Sequence, residues 1–271
     1  KFSWFVARLG SYVFVSAVVA SIVIYSHPNT IKTDFARMQN PTVFIEYTIS
    51  PPGSGIVIGS GVVISARKEG DKWVMDILTA KHVILGLKKT RSDGTEYWET
   101  MTITRWIYVA DKPPVSHKET GKVLRVSDKY DLAIVQVKSA KRFPVAPIAK
   151  HSADAGDRVF TVGFPSGYPN LVSPPGYVSV KNYKPRGEKV SFQIISASSS
   201  PGNSGGPVFN RKYEIVGIAV RVARTPAQTL HLVRTPYGVQ REREQRIVLQ
   251  WLPHITFAVT VEQIHEFLNE K

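Results

Sequence analysis

From residue 43 onward the chain is built of short apolar or alternating runs, and this pattern limits its fold more than any other feature. The runs are Val43–Ile49, Gly55–Ser65, Trp73–Leu78, Met101–Val109, Lys122–Val126, Leu132–Val137, Arg158–Gly163, Val190–Ala197, Glu214–Val222 and Ile255–Thr260. Clusters of Gly, Pro, Asp and Lys separate them. Runs of this length between turn residues read as strands of an all-β sandwich or barrel, not as βαβ units. One soluble helix stands out, at the carboxyl end. Thr260-Val261-Glu262-Gln263 fits a capping box, and Val261, Ile264, His265 and Leu268 share a helical face.

The chemistry concentrates in Gly202-Asn203-Ser204-Gly205-Gly206-Pro207. A serine among glycines sits where backbone can adopt positive φ and approach other groups closely. The N–H groups of Gly202 and Ser204 then suit an oxyanion hole, whose donors stabilise the charge of a tetrahedral intermediate. A plain Gly/Ser turn after Pro201 is the bland alternative. A nucleophilic serine needs a base, and the base needs a carboxylate to orient it. His82 follows the apolar run Trp73–Leu78, which places it just past a strand end. Asp131 opens the apolar run Leu132–Val137; Asp128, its nearest rival, is followed by Lys129 and Tyr130 and reads as loop. The order His82, Asp131, Ser204 argues against an α/β-hydrolase elbow, although Gly202-x-Ser204-x-Gly206 fits that pattern. Such enzymes run Ser, acid, His, and no Asp follows Ser204 here.

These blocks resemble those of the chymotrypsin-fold serine peptidases, in the trypsin-like, HtrA/Deg-like branch. Leu78–Val83 is similar to that family's Thr-Ala-x-His block, Asp131–Val135 to its Asp-Leu-Ala block, and Gly202–Pro207 to its Gly-Asn-Ser-Gly-Gly-Pro block. Gly59-Ser60-Gly61 resembles its Gly-x-Gly strand. The likeness covers roughly residues 41–270. It implies two six-stranded antiparallel β-barrels, the first over about 41–140 and the second over about 150–259, with a helix at 260–270. It also implies that His82 is the general base, Asp131 its orienter and Ser204 the nucleophile, with the N–H groups of Gly202 and Ser204 as the hole. The implied substrate is a protein or peptide, with no cofactor. From the length, no room is expected for the PDZ domain that HtrA-like enzymes usually carry. In zymogen-type relatives an Asp just before the nucleophile receives a new amine; Asn203 stands there, so no amine-insertion switch is expected.

The same likeness puts Ser198, six residues before Ser204, at the base of the S1 pocket, with Val220, Arg221 and Val222 lining it or its neighbouring strand. Ser198 is not an acid, so a Lys or Arg preference is not expected. The valines favour a small or medium apolar residue, whereas an inward Arg221 would favour an acidic or polar one.

At the amino end, Leu9–Tyr25 is uncharged and largely apolar, near the lower length of a membrane span. With Lys1 and Arg8 before it, residues 1–26 read as a transmembrane anchor with a cytoplasmic N-terminus, and 27–40 as a linker to a domain on the outer side. A signal peptide cleaved after Ala20 is the alternative. The formal charge of +14 fits a solvated surface or attraction to anionic lipid, cell-envelope polymer or acidic substrate, and no nucleic-acid recognition motif accompanies it. The chain has no cysteine, which removes thiolate metal sites, and no His/Asp/Glu spacing points to a metal. Ala223–Trp251 departs from the family pattern: Leu230–Val233 reads as a strand and Gln240–Arg246 as a charged loop or short helix. From another class, a non-catalytic, membrane-anchored binding module on a protease scaffold is the rival reading.

Overall fold

The computed structural model describes residues 35–49, 55–109, 113–168, 175–235 and 238–270. The proposed membrane segment Leu9–Tyr25 lies outside them. Among the described residues, no helix is long and apolar enough to cross a membrane.

The alternating runs form two closed six-stranded barrels, as the pattern and the resemblance lead one to expect. The first comprises β1 (Thr42–Thr48), β2 (Ile56–Glu69), β3 (Lys72–Thr79), β6 (Met101–Ile107), β7 (Val115–Val126) and β8 (Ala133–Ser139). Its order is β1-β2-β3-β8-β7-β6, and β1 pairs β6 to close it. A side strand pair, β4 (Lys88–Thr90) with β5 (Glu96–Trp98), lies outside the barrel. The second comprises β9 (Arg158–Thr161), β10 (Pro175–Tyr183), β11 (Phe192–Ile195), β12 (Pro207–Phe209), β13 (Ile215–Thr235) and β14 (Gly238–Thr260), in the order β10-β11-β14-β13-β12-β9. All strand pairs within both barrels are antiparallel.

Closure removes free sheet edges and gives each strand one face toward a packed interior. In the first barrel Val43, Ile45, Val62, Met75, Ile77, Ile103, Val135 and Val137 are fully or almost fully buried. Val159, Ile195, Val208, Val216 and Ala258 do the same in the second. Charged residues take the outward positions, as in β3, where partly buried Asp76 accepts from Arg67 and Ser65 of β2.

Strands β13 and β14 run well past the barrel as a hairpin arm, paired as far as Thr235 and Gly238. Gln240–Arg246, which the charge pattern assigns to a loop or short helix, is therefore strand. The segment Arg241-Glu242-Arg243-Glu244 alternates with period two, and pairing with Leu230–Val233 supplies the ladder bonds that an isolated charged segment lacks.

Helical pieces are few: α1 (35–39), α2 (Lys81–Ile84) and α3 (Val261–Asn269). The capping box of α3 is present, Thr260 accepting from the Gln263 N–H while the Gln263 side chain accepts from the Thr260 N–H. This helix bridges the molecule. Its first turn is tied to the second barrel by Glu262, which accepts from Ser152, and by Gln263, which donates to the Ser191 carbonyl at 3.0 Å. Its last turns reach the first barrel, where Glu266 accepts from Lys129 and Tyr130 and Arg125 donates to the Glu270 carbonyl. Thr260→Ala, which removes the cap, is expected to lower stability by about 1 kcal/mol. Chemical denaturation of the two proteins side by side checks it.

Candidate active site

His82 and Asp131 come to the cleft from two neighbouring strands. β3 ends at Thr79, and α2 carries His82 in the turn just beyond it. β8, which pairs with β3 at Thr79↔Ala133, begins just after Asp131. The loop before Asp131 is fixed locally: the Ser127 hydroxyl accepts from the N–H groups of Lys129 and Tyr130, and Lys81 donates to the Ser127 carbonyl at 2.7 Å. The His82 ring Nδ1 then lies 2.7 Å from Asp131 Oδ2, and the His82 backbone N–H donates to Oδ1 at 2.9 Å. Both carboxylate oxygens are used on one residue, which fixes the ring plane and leaves Nε2 facing outward. Asp131, not Asp128, is the acid that meets His82.

Burial pushes the Asp131 carboxyl up. The hydrogen bond from the His82 ring, the His82 charge, the His82 N–H and the Lys81 charge pull it down more strongly, so it titrates below the usual carboxylate range. It stays ionised at neutral pH and favours the ring tautomer with hydrogen on Nδ1. The His82 side chain is 41 % exposed, so its outer nitrogen can reach a substrate.

Ser204 arrives from the second barrel. Its carbonyl accepts from the Ser60 N–H of β2 at 2.8 Å. Gly59 lies against both Val83 of α2 and the Ser204 carbonyl, so the turn carrying His82 and the loop carrying Ser204 meet over this position. Gly205, at φ +85°, leaves no room for a side chain: a Cβ would stand 2.2 Å from the Ser60 carbonyl oxygen and from Thr79 Oγ1.

The loop before Ser204 is a turn from Ser200 to Asn203, closed by the Asn203 N–H on the Ser200 carbonyl at 3.1 Å. Pro201 and Gly202 at its centre, with Gly202 at φ +100°, match a type II turn. A type I turn would differ by a flip of the Pro201–Gly202 peptide, so the Gly202 conformation decides which way its N–H points. The Pro201 carbonyl is held by the Ser166 N–H at 2.6 Å. In a trans peptide the Gly202 N–H therefore faces away from Ser166. Among the described residues, no backbone carbonyl accepts from the N–H of Gly202 or Ser204, whereas those of Asn203, Gly205 and Gly206 are all taken up.

Ser60, quoted above only as part of a glycine motif, is a positioning residue that sequence reasoning missed. Fully buried, it donates from Oγ to the Gly202 carbonyl at 2.7 Å and accepts there from the Phe164 N–H at 3.0 Å. Ser166 was missed as well. Its left-handed backbone, φ 53°, is unusual for a residue other than Gly, and a strained residue next to the loop is a signal only a structure carries. Asn203 is buried, with its amide donating to Ser199 Oγ at 3.3 Å.

Of the residues assigned to the pocket, Ser198 is half-buried and bonded to His254, with Ser198 Oγ 3.1 Å from Nδ1. Val220 and Val222 are buried. Arg221 between them is exposed; its guanidinium donates to Glu188 at 3.1 Å and lies over the Phe192 ring. Two surface concavities flank α1, one bordered by Arg37 and Pro144 and the other by Phe35 and Arg158, and neither holds His82, Asp131 or Ser204. Among the described residues no group of three His, Cys, Asp or Glu side chains converges as a metal site.

Two closed barrels, one presenting an acid-oriented histidine and the other a glycine-framed serine, match the two-barrel serine-peptidase architecture. The model of the trypsin-like peptidase domain matches residues 59–218, and the chain belongs to that family. It is similar to a DegP-like periplasmic serine endoprotease of Hahella chejuensis, 32% identical over 162 residues, covering 59% of this chain and 29% of that protein. The HhoB serine protease of Synechocystis sp. is 29% identical over 181 residues, covering 64% of this chain and 36% of that one. The chain thus spans about a third of the length of these relatives. Among solved structures, an HtrA-type protease AlgW with a tripeptide aligns with a TM-score of 0.58 at 17% identity, over 87% of this chain and 61% of that one. A serine endoprotease from Yersinia pestis aligns at 0.55 and 21% identity, over 88% and 65%. These likenesses carry the fold.

Two outcomes test the geometry. Ser60→Ala is expected to lower kcat/KM about tenfold, because the freed Gly202 carbonyl and Phe164 N–H are buried and each unmet partner is worth about 1–3 kcal/mol. Peptidase kinetics at constant temperature measure it. The lowered Asp131 value makes its ionisation a source of stability that is present in full above 3.8, the ordinary value, and lost as pH falls through the lower folded one. The stability difference between wild type and Asp131→Asn should therefore shrink below pH 3.8, read by urea titrations at a series of pH values.

Proposed function

We propose that the chain is a serine endopeptidase tethered to a membrane. The observation that carries the catalytic reading is the two-point grip of Asp131 on His82, beside a loop in which Gly202 and Ser204 leave their N–H groups uncommitted to backbone acceptors among the described residues. Ser204 attacks the scissile carbonyl, and His82 Nε2 takes its proton and hands it to the leaving amine. Asp131 holds the ring and stabilises the imidazolium. The N–H groups of Gly202 and Ser204 receive the oxyanion. The acyl-enzyme is released by water, activated by the same histidine. No cofactor takes part in these steps.

The tether is Leu9–Tyr25, uncharged and preceded by Lys1 and Arg8, which leaves the N-terminus in the cytoplasm and the protease domain on the outer side. The relatives named as periplasmic endoproteases support that side.

The test is fluorophosphonate labelling of the full chain in detergent, with Ser204→Ala alongside. Labelling of wild type alone is expected. Absence of labelling in folded protein would favour a binding module on a protease scaffold. Asp131→Asn should label and turn over about 10⁴-fold more slowly, because the amide permits the wrong ring tautomer. Extraction of membranes with carbonate should leave the full chain in the pellet and release a chain lacking residues 1–30.

A further inference from the structure

Ser198 and His254 lie 56 positions apart in sequence and meet because β14 pairs with β11. In that ladder Ile195 faces Thr256, and the Thr256 hydroxyl donates to the Ala197 carbonyl at 3.1 Å. This bond joins the residue directly before Ser198 to the strand two positions from His254. The Ser198 Oγ to His254 Nδ1 contact of 3.1 Å is thus held by the sheet itself. On the other side of β14, Thr256 pairs with Val222 of β13. Val222 and Val220 are buried, and Arg221 is spent on Glu188, away from them.

The pair is polar, and its hydrogen-bond capacity is directional. If the Ser198 hydroxyl donates to Nδ1, the Nε2–H of His254 remains as an outward donor. If Nδ1–H donates to Oγ, the Ser198 O–H remains instead; an imidazolium leaves both. Every protonation state offers a donor, and among the described residues no carboxylate bonds either group. A carboxylate offers only acceptors and matches this arrangement, in a chain whose formal charge is +14. An apolar side chain would offer the same donor no acceptor.

We propose that Ser198 and His254 form the base of the S1 pocket and select a carboxylate side chain, Glu or Asp, at the residue before the scissile bond. Val220 and Val222 supply the apolar walls for its methylene carbons. The inference rests on the peptidase reading above for the location of the pocket, and His254 is a specificity residue that the sequence pattern does not mark.

The experiment has two arms, both on the full chain in detergent. In the first, a fluorogenic peptide set varies only the P1 residue among Glu, Gln, Ala, Val and Lys. Sites built to bond a polar group reject analogues without it by large factors, so kcat/KM for Glu should exceed that for Val by about 100-fold or more. In His254→Ala and in Ser198→Ala the Glu-to-Val ratio should fall toward one, whichever way the absolute rates move, while His254→Gln, which keeps a donor, should retain part of it. In the second arm, Ser204→Ala protein is titrated with product-like peptides ending in Glu, Gln or Val, and affinity is read by fluorescence anisotropy. Tighter binding of the Glu peptide, lost with His254→Ala, supports the proposal without any turnover. Cleavage with no preference for Glu over Val, or a preference that survives both substitutions, overturns the proposal and leaves the peptidase reading intact. Selective, His254-dependent binding without cleavage of any peptide would sustain the carboxylate pocket and overturn the peptidase reading instead.

Discussion

The site depends on the junction at Ser60, where one buried residue of β2 holds the serine loop of the opposite barrel. Its N–H binds the Ser204 carbonyl, its hydroxyl bridges the Gly202 carbonyl and the Phe164 N–H, and its own carbonyl accepts from Thr79. Thr79 is the last residue of the strand that leads to His82. One residue therefore connects the backbone of the loop carrying the serine to the strand that presents the histidine. The close fit at Gly205 follows from the same junction, since any Cβ there would fall on the Ser60 carbonyl. The loop conformation that turns the Gly202 N–H away from Ser166 is set by contacts from two sides, Ser60 and Ser166, and not by the turn sequence alone.

A second link between the barrels passes through α3. Its amino end is bonded to Ser152 and Ser191, and its carboxyl half to Lys129 and Tyr130, two residues in the loop that carries Asp131. Burial pushes the Glu262 carboxyl up, but its bonds from Ser152 outweigh that and hold it below its usual range. The helix thus joins both barrels through charge-assisted bonds, which are stronger than neutral ones. The His82–Asp131 pair is supported from behind by the end of the chain, more than a hundred residues away in sequence.

Much of this is legible in the amino-acid sequence alone. Alternating runs with turn residues between them specify strands because side chains alternate sides with period two, and a strand with one buried face must repeat that pattern. The capping box specifies the start of α3 because it is satisfied within four consecutive residues. The hairpin arm was harder. A stretch such as Arg241–Glu244 carries no burial signal, and its state is decided by the partner strand that pairs with it.

The sequence by itself determined the fold class, the terminal helix and the membership of His82, Asp131 and Ser204 in one set of blocks, because these are encoded in local spacing and residue type. The tertiary structure decided the rest: that Asp131 rather than Asp128 reaches His82, that Ser60 and Ser166 hold the loop of Gly202, that Arg221 turns to Glu188, and that His254 meets Ser198. Each of these is a contact between segments far apart along the chain. Barrel closure and strand register fix such contacts, and neither is written in the neighbours of any single residue.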